Sequence, residues 1–361
     1  MLNIFLSALT SFVIVFISIP SIIKVARLKH LFDFPEERKA HTTEQPTLGG
    51  LAIFACLIFS FTFWTASMYF PIRQYVIAAI IILFFIGMKD DIIIISPFKK
   101  LLGQILAAFI VVFFAGVRLT SFHGIFGLYA LPEWLSISSS IFTILVIINS
   151  INFIDGIDGL AAGISVIACL VFGILLYYYD EYVLSLLAFS LMSGLLAFMY
   201  YNFSPAKIFM GDTGSLIIGF VLSIVSIRFI EIHKSVTTSL ISANFSPVLA
   251  IAVLIVPLSD MLRVFCVRIY YGKSPFTPDR NHIHHCLLDL GMSHRSVCFT
   301  LYSVSIFFIS LTFILRDMHS MDLLMMMTLF ALLLNGLPFI VRSIKATRFV
   351  GELKPRQQTQ I

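Results

Sequence analysis

The chain has 361 residues, of which 59% are hydrophobic and only 12% charged, and its formal net charge is +5. Soluble domains carry roughly 25% charged residues, so this composition excludes a soluble enzyme and a nucleic-acid binder and indicates an integral membrane protein. The five cysteines, Cys56, Cys169, Cys266, Cys286 and Cys298, show no CxxC spacing and lie mostly in apolar runs. They read as small buried hydrophobes, not as a disulfide framework.

In chain order, the opening "MLNIFLSALTSFVIVFISIP" has the look of a signal peptide, but no basic residue precedes its apolar core, whereas Lys24, Arg27 and Lys29 follow it. That order predicts an uncleaved first span with its N-terminus outside. Apolar runs near the spanning length of about 20 residues follow. The full set is 2–23, 48–70, 72–88, 101–117, 135–149, 159–179, 182–201, 213–230, 247–271, 297–315 and 321–341. The expected fold is therefore an all-α, polytopic membrane protein of about eleven helices, the fifth the shortest. It forms one multi-span domain over 1–342, followed by a basic, polar, loosely ordered tail at 343–361. No internal repeat or low-complexity tract is visible, and the longest polar connections are 24–47 and 272–296.

Charge placement tests this topology. With the N-terminus outside, Arg73, Arg118, Arg228, Lys234 and Arg316 fall outside, and the other nineteen of the 24 Lys and Arg fall inside. A miscounted helix would scramble that positive-inside bias. The same sorting brings "MKDDI" (88–92), "NSINFIDGIDGL" (149–160), "FMGDTGSL" (209–216) and "SPFTPDRNHIHH" (274–285) to the inner, cytoplasmic face with the C-terminus.

Carboxylates beside hydrocarbon are costly and usually functional. A single Asp at a helix end reads as merely solvated, but here Asp90–Asp91, Asp155, Asp158 and Asp212 recur in three separate inner connections. In "DGIDGLAAG" and "GDTGSL", Asp and Gly stand just ahead of an apolar helix. Asp is a good N-cap, and helix N-termini favour anions. A carboxylate there also recruits a hard cation such as Mg²⁺, which takes oxygen ligands and bridges to phosphate. Capping and cation binding are compatible. "HIHHC" (282–286) admits a zinc reading, which needs three or four convergent ligands. Its setting after "KSPFTPDR", without a nearby Glu, favours an anion-holding loop with Arg280 as a planar fork and Lys273 as a point charge. Lys99 and Lys100 open the next span nine and ten residues after Asp90, so one of them can reach back to a phosphate. Pro46, Gly49 and Gly50 in "PTLGG" shape a tight turn into the second helix. His41 and His123 stand alone and read as structural.

Taken together, "PTLGG", "KDD", "NSINFIDGIDGLAAG", "FMGDTGSL" and "SPFTPDRNHIHHCLLDLG" resemble, in order and on one side, the polyprenyl-phosphate N-acetylhexosamine-1-phosphate transferases. The "PDRNHIHH" form is more similar to the branch using UDP-N-acetylglucosamine than to the peptidoglycan-precursor branch, which typically carries three consecutive histidines. The resemblance implies transfer of a sugar-1-phosphate from a UDP-sugar to undecaprenyl phosphate, with Mg²⁺, or Mn²⁺ in its place, and release of UMP. It implies that Asn152 and Asp212 hold the metal and that Phe209 stacks on uracil. It further implies that Asp90 and Asp91 lie near the acceptor phosphate and that Lys100 holds phosphate. Asn149 belongs to the substrate-binding set, and Arg280, His282, His284 and His285 grip the diphosphate and sugar. For Asp155 and Asp158, nucleotide contact and scaffolding both remain open. The implied location is a bacterial inner membrane, with membrane lipids as partners; a homodimer is left open. A transporter is the main non-enzyme rival. Transporter sites, however, lie near the midplane within broken helices related by repeats, whereas these motifs gather at one face.

Overall fold

The computed structural model describes residues 1–29, 31, 45–232, 245–274 and 281–357, without the side chains of Phe126 and 345–357. Among the described residues the structure is helical and has no β-strand, Ser121 and Ala130 forming an isolated bridge. Seven helices run from the start through the middle: α1 (Leu2–Leu28), α2 (Gly49–Trp64), α3 (Arg73–Ile92), α4 (Pro97–Phe109, continued by a π-helical turn Ile110–Phe114), α5 (Glu133–Ile154), α6 (Leu160–Tyr178) and α7 (Tyr182–Asn202). Then come α8 (Gly211–Ile232), α9 (Ser246–Val253), α10 (Ile255–Tyr270), α11 (Ile283–Asp289), α12 (His294–Ile314) and α13 (Ser320–Gln357).

Every apolar run of the sequence carries helix, but the spans are not uniform. Eight described helices are long and apolar enough to cross a membrane: α1, α4 with its π turn, α5, α6, α7, α8, α12 and α13. The ninth run, 247–271, is broken into α9 and α10, which bend by 78° at Leu254 and together make one further candidate. Helix α2 has only 16 residues, and α3 starts with Arg73 and ends in "KDD", which interrupts its apolar stretch. Helix α13 continues past residue 342 to Gln357. The protein is a multi-pass membrane protein.

Within a bilayer, apolar contacts give little net drive for helix association, so close packing and interhelical hydrogen bonds of roughly 0.6 kcal/mol each carry more of it. Buried serines supply such bonds here: Ser7 Oγ meets Ser190 Oγ at 2.5 Å, joining α1 to α7, and Ser11 donates to Ser60 at 2.8 Å, joining α1 to α2. Helix α8 is the axis of the bundle, buried along nearly its whole length, whereas α1 and α13 turn many apolar side chains outward. Four cysteines are buried, Cys266 is exposed, and all five are free thiols. Gly87 lets α3 touch the start of α8: a Cβ there would come within 2.5 Å of Thr213 Cα. That contact brings "KDD" beside "GDTG", which is the first step in building the site.

Candidate active site

The site forms where α3, α4, α5 and α8 converge at one end of the bundle. Helix α4 begins with extended Ser96 followed by Pro97 at its first turn, a start that suits proline because its missing N–H would be unpaired there anyway. One turn on, Lys100 reaches between two carboxylates, with Nζ 2.6 Å from Asp212 Oδ2 and 3.2 Å from Asp90 Oδ2. These three side chains are only 15%, 26% and 11% exposed, respectively, so solvent screens the interaction weakly. Asp90 Oδ1 accepts the backbone N–H of Ile95 at 2.8 Å, closing the turn between α3 and α4. Asn152, on the last turn of α5, donates through Nδ2 to Asp212 Oδ1 at 2.5 Å and to Ser215 Oγ at 2.8 Å.

Asp91 does different work. Its Oδ1 accepts from the N–H of Asp212 at 2.6 Å, and its Oδ2 accepts from the N–H of Thr213 at 3.0 Å and from Thr213 Oγ1 at 2.5 Å. It therefore caps α8 from another helix, satisfying N–H groups that the helix leaves unpaired. Gly211 precedes them at φ +72°, in the left-handed region, and a Cβ there would lie 2.6 Å from Asp91 Oδ1. "PTLGG" supports the same corner. Phe209 N–H donates to Pro46 O at 2.7 Å, Gly49 N–H to Phe209 O at 3.0 Å, and Gly50 N–H to Met210 O at 2.8 Å.

The loop between α5 and α6 carries Asp155 and Asp158 to opposite duties. Asp158 Oδ2 accepts Ala206 N–H at 3.1 Å and lies 3.6 Å from His294 Nδ1. Burial acts to raise its carboxyl, but the nearby His294 ring and the hydrogen bond from Ala206 outweigh it and hold the group below the usual range. Next to it, Gly159 donates its N–H to Asn202 Oδ1 at 2.9 Å and accepts Tyr302 Oη at 2.6 Å. Asp158 thus ties the loop to α12 and to the connection after α7. Asp155 meets no such donors: among the described residues, no cation or side-chain hydrogen bond engages its carboxylate. Burial first, then the carboxylates of Asp212, Asp91 and Asp158, push it well above the usual range.

The histidine loop closes the other side. His284 is buried, and its ring edge lies against Gly156, where a Cβ would sit 2.9 Å from His284 Cε1. His282 and His284 stack at 5.7 Å between ring centres, and His284 and His285 stand 4.3 Å apart. Burial, then His285, keep His284 well below the usual imidazole range, and among the described residues neither ring nitrogen has a hydrogen-bond partner. Arg280 and His41 lie outside the described residues. Asn149 forms an amide pair with Gln104: its Nδ2 donates to Gln104 Oε1 at 2.8 Å, one turn deeper than Asn152 and Lys100.

Three polar residues here went unmarked in the sequence. Gln104 falls one turn after Lys100, so helical spacing was its signal. His294, at the head of α12, carried none. Asp260, an isolated carboxylate inside the apolar run 247–271, broke the pattern as plainly as Asp212 does.

Asp90 and Asp212 share one ammonium, Lys100, and Asp91 and Asp155 stand close enough to Asp212 to add their charge, an excess of negative charge among the described residues that suits a bound cation. Among the described residues, no group of three His, Cys, Asp or Glu stands close enough to hold a metal by itself. That does not favour zinc, which needs three or four protein ligands. It does fit Mg²⁺, which uses one or two protein oxygens and takes the rest of its shell from phosphate and water. Asp212 and the amide oxygen of Asn152 are hard donors of that kind.

A family model described as glycosyl transferase family 4 matches residues 73–230, from α3 through α8, and so includes all four carboxylates and Lys100. A "probable undecaprenyl-phosphate N-acetylglucosaminyl 1-phosphate transferase" of Bacillus subtilis (strain 168) is 32% identical over 314 residues, covering 85% of this chain and 84% of the relative. The chain belongs to glycosyl transferase family 4. As a family-4 enzyme it is a phosphoglycosyl transferase. Similar proteins named "undecaprenyl-phosphate alpha-N-acetylglucosaminyl 1-phosphate transferase" occur in Escherichia coli (strain K12), 28% identical over 92% of this chain and 90% of the relative, and in Yersinia pestis, 28% identical over 93% and 91%. The alignments with these family-4 relatives run well beyond residues 73–230, across most of the chain.

Proposed function

We propose that this phosphoglycosyl transferase moves N-acetylglucosamine-1-phosphate from UDP-N-acetylglucosamine to undecaprenyl phosphate, releasing UMP, and so begins a lipid-linked envelope polysaccharide. The observation that carries the reading is the meeting of Asp90, Lys100, Asn152 and Asp212, from four helices, at one end of the bundle beside the His282–His285 loop. The names of the relatives support the acceptor and the sugar. Other UDP-N-acetylhexosamines, UDP-MurNAc-pentapeptide included, are donor outcomes of the same chemistry. The topology that accompanies this reading has eleven crossings, the N-terminus outside, and the site on the cytoplasmic face of the bacterial inner membrane. A UDP-sugar reaches that face from the cytosol, and the lipid phosphate reaches it from the membrane.

In the reaction an acceptor phosphate oxygen bonds to the sugar-linked phosphorus, and the bond from that phosphorus to the bridging oxygen breaks, leaving UMP. Such transfer depends mainly on positioning and on neutralising negative charge. Mg²⁺ held by Asp212 and Asn152 would supply Lewis-acid neutralisation of the diphosphate. Lys100 lies between Asp90 and Asp212, which keeps it charged and aimed into the site, and Arg280 contributes from the histidine loop. Asp90 orients Lys100 and the acceptor rather than removing a proton. A phosphate monoester has a second pKa of about 6, so the acceptor is mostly dianionic at neutral pH.

The test is UMP release by the purified enzyme with undecaprenyl phosphate and Mg²⁺ across a panel of UDP-sugars. UDP-N-acetylglucosamine is expected to give the fastest release. No release that depends on undecaprenyl phosphate, from any UDP-sugar, would overturn the proposal.

A further inference from the structure

Asp260 is a fully buried carboxylate with no place in the reaction described so far. It sits on α10, six residues beyond Leu254, where α9 and α10 bend, and it faces the histidine loop. Its Oδ2 lies 2.8 Å from His282 Nδ1, and its Oδ1 accepts the backbone N–H of Ile283 at 2.9 Å and faces Arg263 Nη2 at 3.3 Å. Arg263 in turn donates to Asn281 O and lies over the ring of Phe339, 3.8 Å from its centre. One carboxylate and its arginine therefore hold three consecutive residues, Asn281, His282 and Ile283, at the point where the loop turns into α11.

A buried carboxylate is expensive unless several donors satisfy it, and three do here. The bond to His282 has a chemical consequence. An ionised carboxylate only accepts, so the Nδ1 it meets must carry hydrogen. That fixes the tautomer and leaves Nε2 of the neutral ring as an acceptor for a substrate hydroxyl or N–H. A partner on one imidazole nitrogen commonly decides what the other can do. The ring is also steadied on both sides, by Phe153 at 5.5 Å and by His284 at 5.7 Å between ring centres.

We infer that Asp260 is a positioning residue for the transfer reaction: it sets the tautomer and direction of His282 so that Nε2 accepts from a hydroxyl or amide N–H of the donor's sugar. This rests on the reading above, in which a UDP-sugar binds beside the His282–His285 loop. A purely structural Asp260 would serve only to hold Ile283 N–H, and Asp260→Asn separates the two roles. The asparagine oxygen still accepts from Ile283. Its NH₂ is then set against Nδ1, which favours the opposite tautomer.

The experiment uses the full-length protein in detergent, with imidazole-¹⁵N histidine labelling; the chain has nine histidines. The wild type is expected to show a downfield, hydrogen-bonded Nδ1–H signal that is lost in both His282→Gln and Asp260→Asn. Asp260→Asn leaves Arg263 its contacts with Asn281 O and the Phe339 ring, so it is expected to fold with a lowered thermal midpoint, and turnover is read below that midpoint. The substitution should lower kcat/KM for the UDP-sugar by about 10- to 100-fold. Asp260→Asn combined with His282→Gln should be no worse than His282→Gln alone. Full activity in Asp260→Asn, additive losses in the double variant, or an Nδ1–H signal that persists in Asp260→Asn would overturn the inference. If the wild type releases no UMP from any UDP-sugar, the proposed function fails, and the histidine signal still decides whether Asp260 sets the tautomer.

Discussion

Both ends of the helix bundle are polar, but they are built on opposite plans. At the end away from the site, each acid has its own partner. Arg228 Nη2 lies 2.7 Å from Glu181, Arg118 lies 3.1 Å from Glu133, and Glu231 accepts both the N–H and the hydroxyl of Thr120 at 2.8 and 2.7 Å. These contacts tie loops to helix ends, and among the described residues Glu181 and Glu133 are each matched by an arginine while Glu231 accepts from neutral donors. At the other end Lys100 is shared by Asp90 and Asp212, Asp91 is spent on capping, and among the described residues Asp155 has no cation. The difference shows how to tell a fastening from a site: matched pairs complete themselves, whereas an excess of one sign invites a ligand.

The sharpest way to break that comparison is to remove charge at each end. Lys100→Met and Asp212→Ala should each lower kcat by about 10²–10³-fold, whereas Arg228→Met with Glu181→Gln should leave it within about twofold and alter stability by at most about 1 kcal/mol. Equal effects at the two ends, read as UMP release and thermal unfolding, would remove the distinction. Lys100→Met also strands two buried carboxylates, so a stability loss of roughly 3–5 kcal/mol should accompany it.

Metal removal asks whether the excess charge at the site is meant for a cation. EDTA should abolish turnover, and Mg²⁺ should restore it, with Mn²⁺ as a substitute. Zn²⁺ should not, because the described residues gather no three-ligand set. Restoration by Zn²⁺ alone would favour a zinc hydrolase built on the histidines.

A smaller effect is expected at Asp91. Asp91→Ala leaves the start of α8 uncapped and should cost about 2 kcal/mol, seen as a lower unfolding midpoint with a parallel loss of activity. An unchanged midpoint would contradict the capping role.

Asp155 sharpens the comparison through pH. Its folded carboxyl titrates well above the unfolded value. The unfolded chain therefore gives up the proton first, and stability falls as pH rises from about 4 towards the folded pKa. Asp155→Asn should flatten that slope and raise the midpoint at neutral pH while lowering turnover. A midpoint unchanged or lowered at neutral pH would show that Asp155 is satisfied in the native state. For Asp90, a pH–rate profile of Asp90→Asn gives the finest test. Activity that returns at high pH would assign it a base role in place of an orienting one.

Much of this was legible along the chain. Eleven apolar runs marked the helices because a bilayer demands about 20 apolar residues per crossing. The motifs stood out because charge beside hydrocarbon is rare. The break at Leu254 was not legible, since 247–271 is apolar on both sides of it and periodicity does not register a 78° bend. Nor was the contrast between neighbouring acids. Asp90 and Asp91 are adjacent in sequence, but successive helix positions face about 100° apart, so one meets Lys100 and the other caps α8.

The sequence by itself determined the class, the helices, the polar end and the residue types of the site, because each is written in local composition. Only the tertiary structure decided which acids bind, which cap and which, like Asp260, hold another side chain. Those roles depend on donors supplied by distant parts of the chain: Thr213 for Asp91, Ala206 for Asp158, His282 for Asp260.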